Sequence, residues 1–190
     1  MNLPELKIGK LVAQVPIIQG GMAIRLSTAP LAAAVANEGG IGLIAASGMG
    51  LDELRKEIRM ARELTGGKGI IGINAMVAAR QFLDLITTAA EEGIDLIVAG
   101  AGFSRDIFAV GRRYGVEVVP IVSSARLAQT AEKLGASAVV VEGTEAGGHL
   151  GTQQSIKEIL PEVIEAVNIP VIAAGGAIDG NDVAELLKLG

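Results

Sequence analysis

Side chains able to do chemistry near neutral pH are few in this chain, and they gather in one stretch, EGTEAGGHLG, from Glu142 to Gly151. It holds the only histidine, His149, whose imidazole titrates near neutrality and can take a proton as a general base. Glycines at 143, 147, 148 and 151 surround it, and without a Cβ they let the backbone turn sharply and approach a ligand closely. The stretch follows an apolar run over 138–141, which predicts a loop leaving the C-terminal end of a strand, where α/β proteins place their sites. The same residues also read as a plain turn with a solvated histidine, and Glu142 as the partner of a nearby arginine.

Other apolar runs end in small or polar residues too: Gln19-Gly20-Gly21-Met22, Ser47-Gly48, Asn74, Gly100-Ala101-Gly102, Ser123-Ser124 and Gly175-Gly176. If these runs are strands of one barrel, all of these residues reach one face. Small residues there leave room for a planar ligand, and N–H groups ahead of a helix N-terminus suit a phosphate. Each also has a structural alternative. Met22 fits as core filling, Asn74 as a turn or cap residue, and Gly175-Gly176 with Asp179-Gly180-Asn181 as a capped turn. Gly66-Gly67-Lys68-Gly69 is not a nucleotide loop, because it lacks the P-loop spacing and the following Ser or Thr, and it precedes a strand.

The composition removes several function classes. With no cysteine there is no disulfide framework, thiolate metal site or thiol nucleophile, and the acids show no ligand spacing beyond helical surface patterns. A net charge of −5, with basic residues scattered among acids, does not make a nucleic-acid surface. The N-terminus lacks a signal-peptide core and no apolar run approaches membrane-spanning length, so a cytoplasmic protein without membrane partners is expected.

These residues must be positioned by repeated βα units. From Val15 onward, short β-branched runs alternate with amphipathic segments, which predicts a parallel sheet. Strands are expected at 15–19, 41–45, 70–75, 96–99, 117–122, 138–141 and 171–174. Helices are expected at 28–37, 51–64, 81–92, 105–114, 125–134, from the glycine-rich loop to about 167, and at 181–189. Ser27 or Thr28 reads as the cap of the first helix. Ser155 and Glu158 have capping-box spacing, with Pro161 in or near the first turn that follows. Seven such units are one short of a (β/α)₈ barrel, which leads us to expect a single, C-terminally truncated barrel domain over 1–190; a doubly wound open sheet uses the same unit.

Five segments in order, PIIQGGMA (16–23), NEGGIGLIAASG (37–48), GINAMVA (72–78), EGTEAGGHLG (142–151) and IPVIAAGGAIDG (169–180), resemble the flavin-dependent nitronate monooxygenases. They are nearly as similar to the FMN-dependent enoyl-ACP reductase II enzymes. The resemblance implies a TIM barrel carrying non-covalent FMN. It places Gln19, Gly20, Gly21 and Met22 along the isoalloxazine, Ser123 beside it, and Asn74 and Glu142 on the ribityl or phosphate region. Gly147 and Gly148 join the cofactor site, Ala174, Gly175 and Gly176 hold the phosphate, and His149 is the active-site histidine. The implied reaction oxidises a nitronate or nitroalkane with O₂ to a carbonyl compound and nitrite. The alternatives are NAD(P)H-dependent reduction of an enoyl thioester and a non-catalytic barrel fragment. Self-association as a homo-oligomer is left open.

Overall fold

A computed structural model describes residues 3–22, 25–100, 102, 104–148 and 151–190. The chain divides into two compact units, Met1–Val118 and Val119–Gly190.

The first unit opens with a hairpin that the alternation from Val15 onward does not announce: β1 (Leu6–Ile8) and β2 (Leu11–Ala13), joined through Gly9-Lys10. Ile8 and Ala13 are buried. The turn is fixed to the start of a later strand, where Lys10 N donates to Glu117 Oε1 (3.1 Å) and Lys10 Nζ to the Gly115 carbonyl (2.5 Å).

The expected first strand, 15–19, is reduced to a single parallel bridge between Ile18 and Ile41. Pro16 has no N–H, and Ile17 N donates back to the Val15 carbonyl (2.8 Å). Val15 N and Gln19 N still donate to the Gly39 and Ile41 carbonyls, and Ile41 N donates to the Ile17 carbonyl, each at 3.0 Å.

Beyond it the unit runs as α1 (Ala29–Asn37), β3 (Ile41–Ala45), α2 (Leu51–Leu64), β4 (Ile70–Met76), α3 (Phe82–Glu91), β5 (Leu96–Gly100) and α4 (Arg105–Tyr114). β3, β4 and β5 are neighbouring parallel strands, with Ile41 opposite Ile70 and Gly72 opposite Leu96. β3 and β5 are buried throughout, as strands covered on both faces should be. On α2, Leu54, Ile58 and Ala61 form the buried stripe, while Leu64, placed by its spacing on the same face, is exposed. At the opposite end from the strand C-termini, Arg62 pairs with Asp95 (2.9 Å) and donates to the Gly69 and Gly93 carbonyls (3.1 and 2.6 Å). Asp95 in turn accepts from Ile71 N (2.8 Å), so one ion pair ties α2 to the starts of β4 and β5.

α1 is capped by an unexpected group. Thr28 stands at the N-cap without a side-chain bond, and Ser27 is turned elsewhere. The free N–H of Ala29 donates instead to Glu57 Oε2 of α2 (2.6 Å), so a tertiary contact does what the Ser-Thr pair was expected to do.

β6 (Glu117–Val122) begins in the first unit and continues into the second, which adds α5 (Ala125–Leu134), β7 (Val139–Glu142), α6 (Ile156–Ala166), β8 (Val171–Ala174) and α7 (Gly180–Lys188). β6, β7 and β8 are parallel, with Val122 opposite Val141 and Glu142 opposite Ala174. The expected capping box of α6 is present, Ser155 N donating to Glu158 Oε2 (2.8 Å). Pro161 lies just beyond the first turn, where its missing N–H leaves the carbonyl of Lys157 without its helical partner.

Candidate functional site

In the first unit the candidate residues sit at the C-terminal ends of β3 and β4. Asn74, half-buried near the end of β4, gives its carbonyl to Ala46 N (2.9 Å), while its side-chain amide has no partner among the described residues. The loop from Gln19 to Met22 is pressed onto it, since a Cβ built on Gly21 would stand 2.3 Å from Asn74 Cβ. Gly20 faces open space. Met22 is 48 % exposed, which rules out core filling as its role.

The Gln19 side chain is committed inside the protein. Its Oε1 accepts from Leu43 N (3.2 Å), extending the ladder along β3 where the backbone leaves it, and its Nε2 donates to Ser27 Oγ (2.9 Å) and to the Gly20 carbonyl. At the far end of the loop, Arg25 takes a left-handed conformation (φ 64°) and forms a two-pronged ion pair with Glu53 at 2.8 and 3.0 Å. The Arg25 hydrogen bonds hold the Glu53 carboxyl below the usual carboxylate range.

In the second unit, Ser123 follows β6 directly and Gly151 packs on it, a Cβ on Gly151 standing 2.8 Å from Ser123 Cβ. The neighbouring Ser124 is the N-cap of α5, its Oγ accepting from Leu127 N (3.3 Å). The loop after β7 is fastened at several points. Thr144 N donates to the Gln154 carbonyl (3.0 Å), Ala146 N to the Gly143 carbonyl (3.0 Å), and Ile156 N to Glu145 Oε2 (3.0 Å). Gly147 and Gly148 are exposed, with open space where a side chain would be. His149 lies outside the described residues.

Glu142 ends β7 half-buried, beside Ala174, and no donor reaches its carboxylate among the described residues. Burial therefore pushes its pKa up. One residue past Ala174 the chain turns through Gly175 and Gly176, both at positive φ (104° and 75°). Their N–H groups and that of Ala177 have no acceptor among the described residues. The N-terminus of α7 is taken by carboxylates: Asn181 N and Asp182 N donate to Asp179 Oδ1, and Ile178 N and Asp179 N to Asp182 Oδ2. An anion here would meet the N–H groups of the glycine turn ahead of the helix, the groups named from the sequence, and not the helix end itself.

This donor set fits a ribityl phosphate. A carboxylate that can only accept stands beside free N–H groups that can only donate, matching a ligand with hydroxyls on one part and an anionic oxygen on the next. The roles that Ser27, Glu57 and Glu145 take carry no sequence signal, because each bonds to a backbone group that folding brings to it.

The fold is an α/β fold of the TIM-barrel type, shared with FabK from Thermotoga maritima (TM-score 0.87, 39 % identity, 92 % of this chain and 55 % of that one). A nitroalkane oxidase from Streptomyces ansochromogenes is also similar (TM-score 0.84, 28 % identity, covering 94 % and 63 %). The family profile of nitronate monooxygenase matches residues 5–190, and the chain belongs to that family of oxidoreductases. A curated relative from Rhodococcus jostii, (3aS,4S,5R,7aS)-5-hydroxy-7a-methyl-1-oxo-octahydro-1H-indene-4-carboxyl-CoA dehydrogenase, is 33 % identical over 93 % of this chain and 49 % of its own length. This chain thus spans about half the length of that relative. No helix among the described residues is long and apolar enough to cross a membrane.

Proposed function

We propose that the chain is the FMN-binding part of an oxidoreductase that oxidises nitronates or nitroalkanes with O₂, giving carbonyl compounds and nitrite. The observation that carries this reading is the juxtaposition of the Glu142 carboxylate and the N–H groups of the Gly175-Gly176 turn, none of which has a partner among the described residues. In the proposed assignment Gly175, Gly176 and the Ala174 end of β8 hold the phosphate, and Glu142 accepts from the ribityl hydroxyls. Asn74, which the family resemblance puts on the ribityl or phosphate region, is reassigned to the ring system with the backbone of Gly20–Met22, because Gly21 packs on it; Ser123, Gly147 and Gly148 are kept as cofactor contacts by that resemblance. When bound, FMN would supply the electron-transfer chemistry, which no side chain of this sequence provides. His149 would take the α-proton of a neutral nitroalkane, and a substrate already present as the nitronate would not need that step.

A second reading is reduction of an enoyl thioester with NAD(P)H. It is favoured by the likeness to FabK and by the CoA thioester named in the relative from Rhodococcus jostii.

The test is a visible spectrum of the purified chain after FMN addition and desalting, followed by two assays. Retained flavin with nitrite release from a nitronate, in the absence of nicotinamide, supports the first reading. NAD(P)H oxidation that depends on an enoyl thioester replaces it with the second, and a protein that never holds flavin removes both. In the first case His149→Ala should keep FMN but lose most turnover with a neutral nitroalkane while retaining turnover with the nitronate. Unchanged nitroalkane turnover would remove His149 from the mechanism.

A further inference from the structure

Ser27 is fully buried and its hydroxyl is used to capacity. It donates to the Gly20 carbonyl (3.2 Å) and accepts from Gln19 Nε2 (2.9 Å) and from Met22 N (2.8 Å). A hydroxyl has one proton and two lone pairs, so nothing is left over for a ligand. The Gln19 amide has both its protons committed, to Ser27 Oγ and the Gly20 carbonyl, and its Oε1 accepts from Leu43 N. Together the two side chains occupy the Gly20 carbonyl and the Met22 N–H. The N–H groups of Gly20 and Gly21 are then the donors of this loop with no acceptor among the described residues, and Gly21 is the one held against Asn74.

We propose that Ser27, acting with Gln19, is the positioning residue of this site: it locks the Gly20–Met22 backbone so that the Gly21 N–H and the Asn74 amide are offered side by side to the ring edge of a planar heteroaromatic ligand. The proposal rests on the flavin reading for the identity of that ligand. It also changes the roles inferred from sequence. Gln19 shapes the loop without touching the ligand through its side chain, and the Met22 N–H is already taken. A buried hydrogen-bonded hydroxyl that fixes two backbone groups is a device for rigidity, and a site held within a fraction of an ångström depends on such support.

The experiment compares the wild-type chain with Ser27→Ala and Ser27→Cys by amide hydrogen exchange without ligand, and then by FMN titration followed through flavin fluorescence and absorbance. In the wild type the Met22 amide should be protected and the Gly21 amide should exchange freely until FMN is added. In Ser27→Ala the Met22 protection should fall at least about tenfold while amides of β3 and β4 keep theirs, FMN should bind about tenfold more weakly, and the flavin band should shift toward that of free FMN. Ser27→Cys, which keeps a weak donor and acceptor, should lie between the two. An unprotected Met22 amide in the wild type, or Ser27→Ala binding FMN with wild-type affinity and spectrum, overturns the proposal. A wild type with the expected protection pattern that takes up no FMN overturns the flavin reading, and the assigned ligand role of the lock with it.

Discussion

Gly175 leaves no room for a side chain against Ala146: a Cβ built on it would stand 2.6 Å from the Ala146 backbone nitrogen. The turn after β8 and the loop that carries His149 are therefore in direct contact three residues before the histidine. Gly175→Ala strains the backbone at φ 104° and also pushes on that loop, so the cost should exceed about 1 kcal/mol of stability. We expect a lower melting temperature together with at least about tenfold weaker FMN retention, because the N–H groups proposed to hold the phosphate move with the turn. A Gly175→Ala chain that binds FMN normally would separate the turn from the cofactor.

The two glycines after Gln19 should behave differently. Gly20 has open space around it, whereas a Cβ on Gly21 would overlap Asn74. Thermal melting should show Gly20→Ala close to the wild type and Gly21→Ala destabilised by about 1–3 kcal/mol, the usual range for overpacking. Equal losses at both positions would mean that the loop does not rest on Asn74.

Glu142 predicts a pH dependence with a definite sign. Its pKa is raised from an ordinary value of 4.5 by burial. The native state therefore keeps the proton to higher pH than the unfolded chain does, and stability falls as pH rises through that interval, remaining lower above it. Glu142→Gln removes this loss. The variant should melt higher than the wild type at neutral pH, with the difference shrinking as pH drops below the ordinary carboxylate range, while FMN binding weakens from loss of the acceptor. Melting curves that differ by the same amount at every pH would contradict the burial of this carboxylate.

Glu57 tests the unusual cap of α1. Removing the acceptor for Ala29 N in Glu57→Ala should cost about 1 kcal/mol, the typical value of a helix cap, measured by urea unfolding with an unchanged slope. Thr28→Ala should cost much less, since Thr28 makes no side-chain cap bond. The reverse order would return the cap to the local sequence.

What this sequence settled by itself is what depends on neighbours along the chain. The helical spacing of α2 and the Ser155-Glu158 box encode elements whose bonds close within a few residues, and the apolar runs of β3, β5 and β6 encode largely buried strands; these elements form where the spacing predicts them. The five motifs likewise carried the family. Tertiary structure decided the rest, because the decisive partners lie far apart in sequence. Pro16 and the reversed Ile17 N–H cut a seemingly good strand to one bridge, and the Gln19 amide continues the ladder on β3. Ser27 leaves helix capping to Glu57 and locks a loop instead. A residue type states which bonds a side chain can make; only packing states which backbone group arrives to make them.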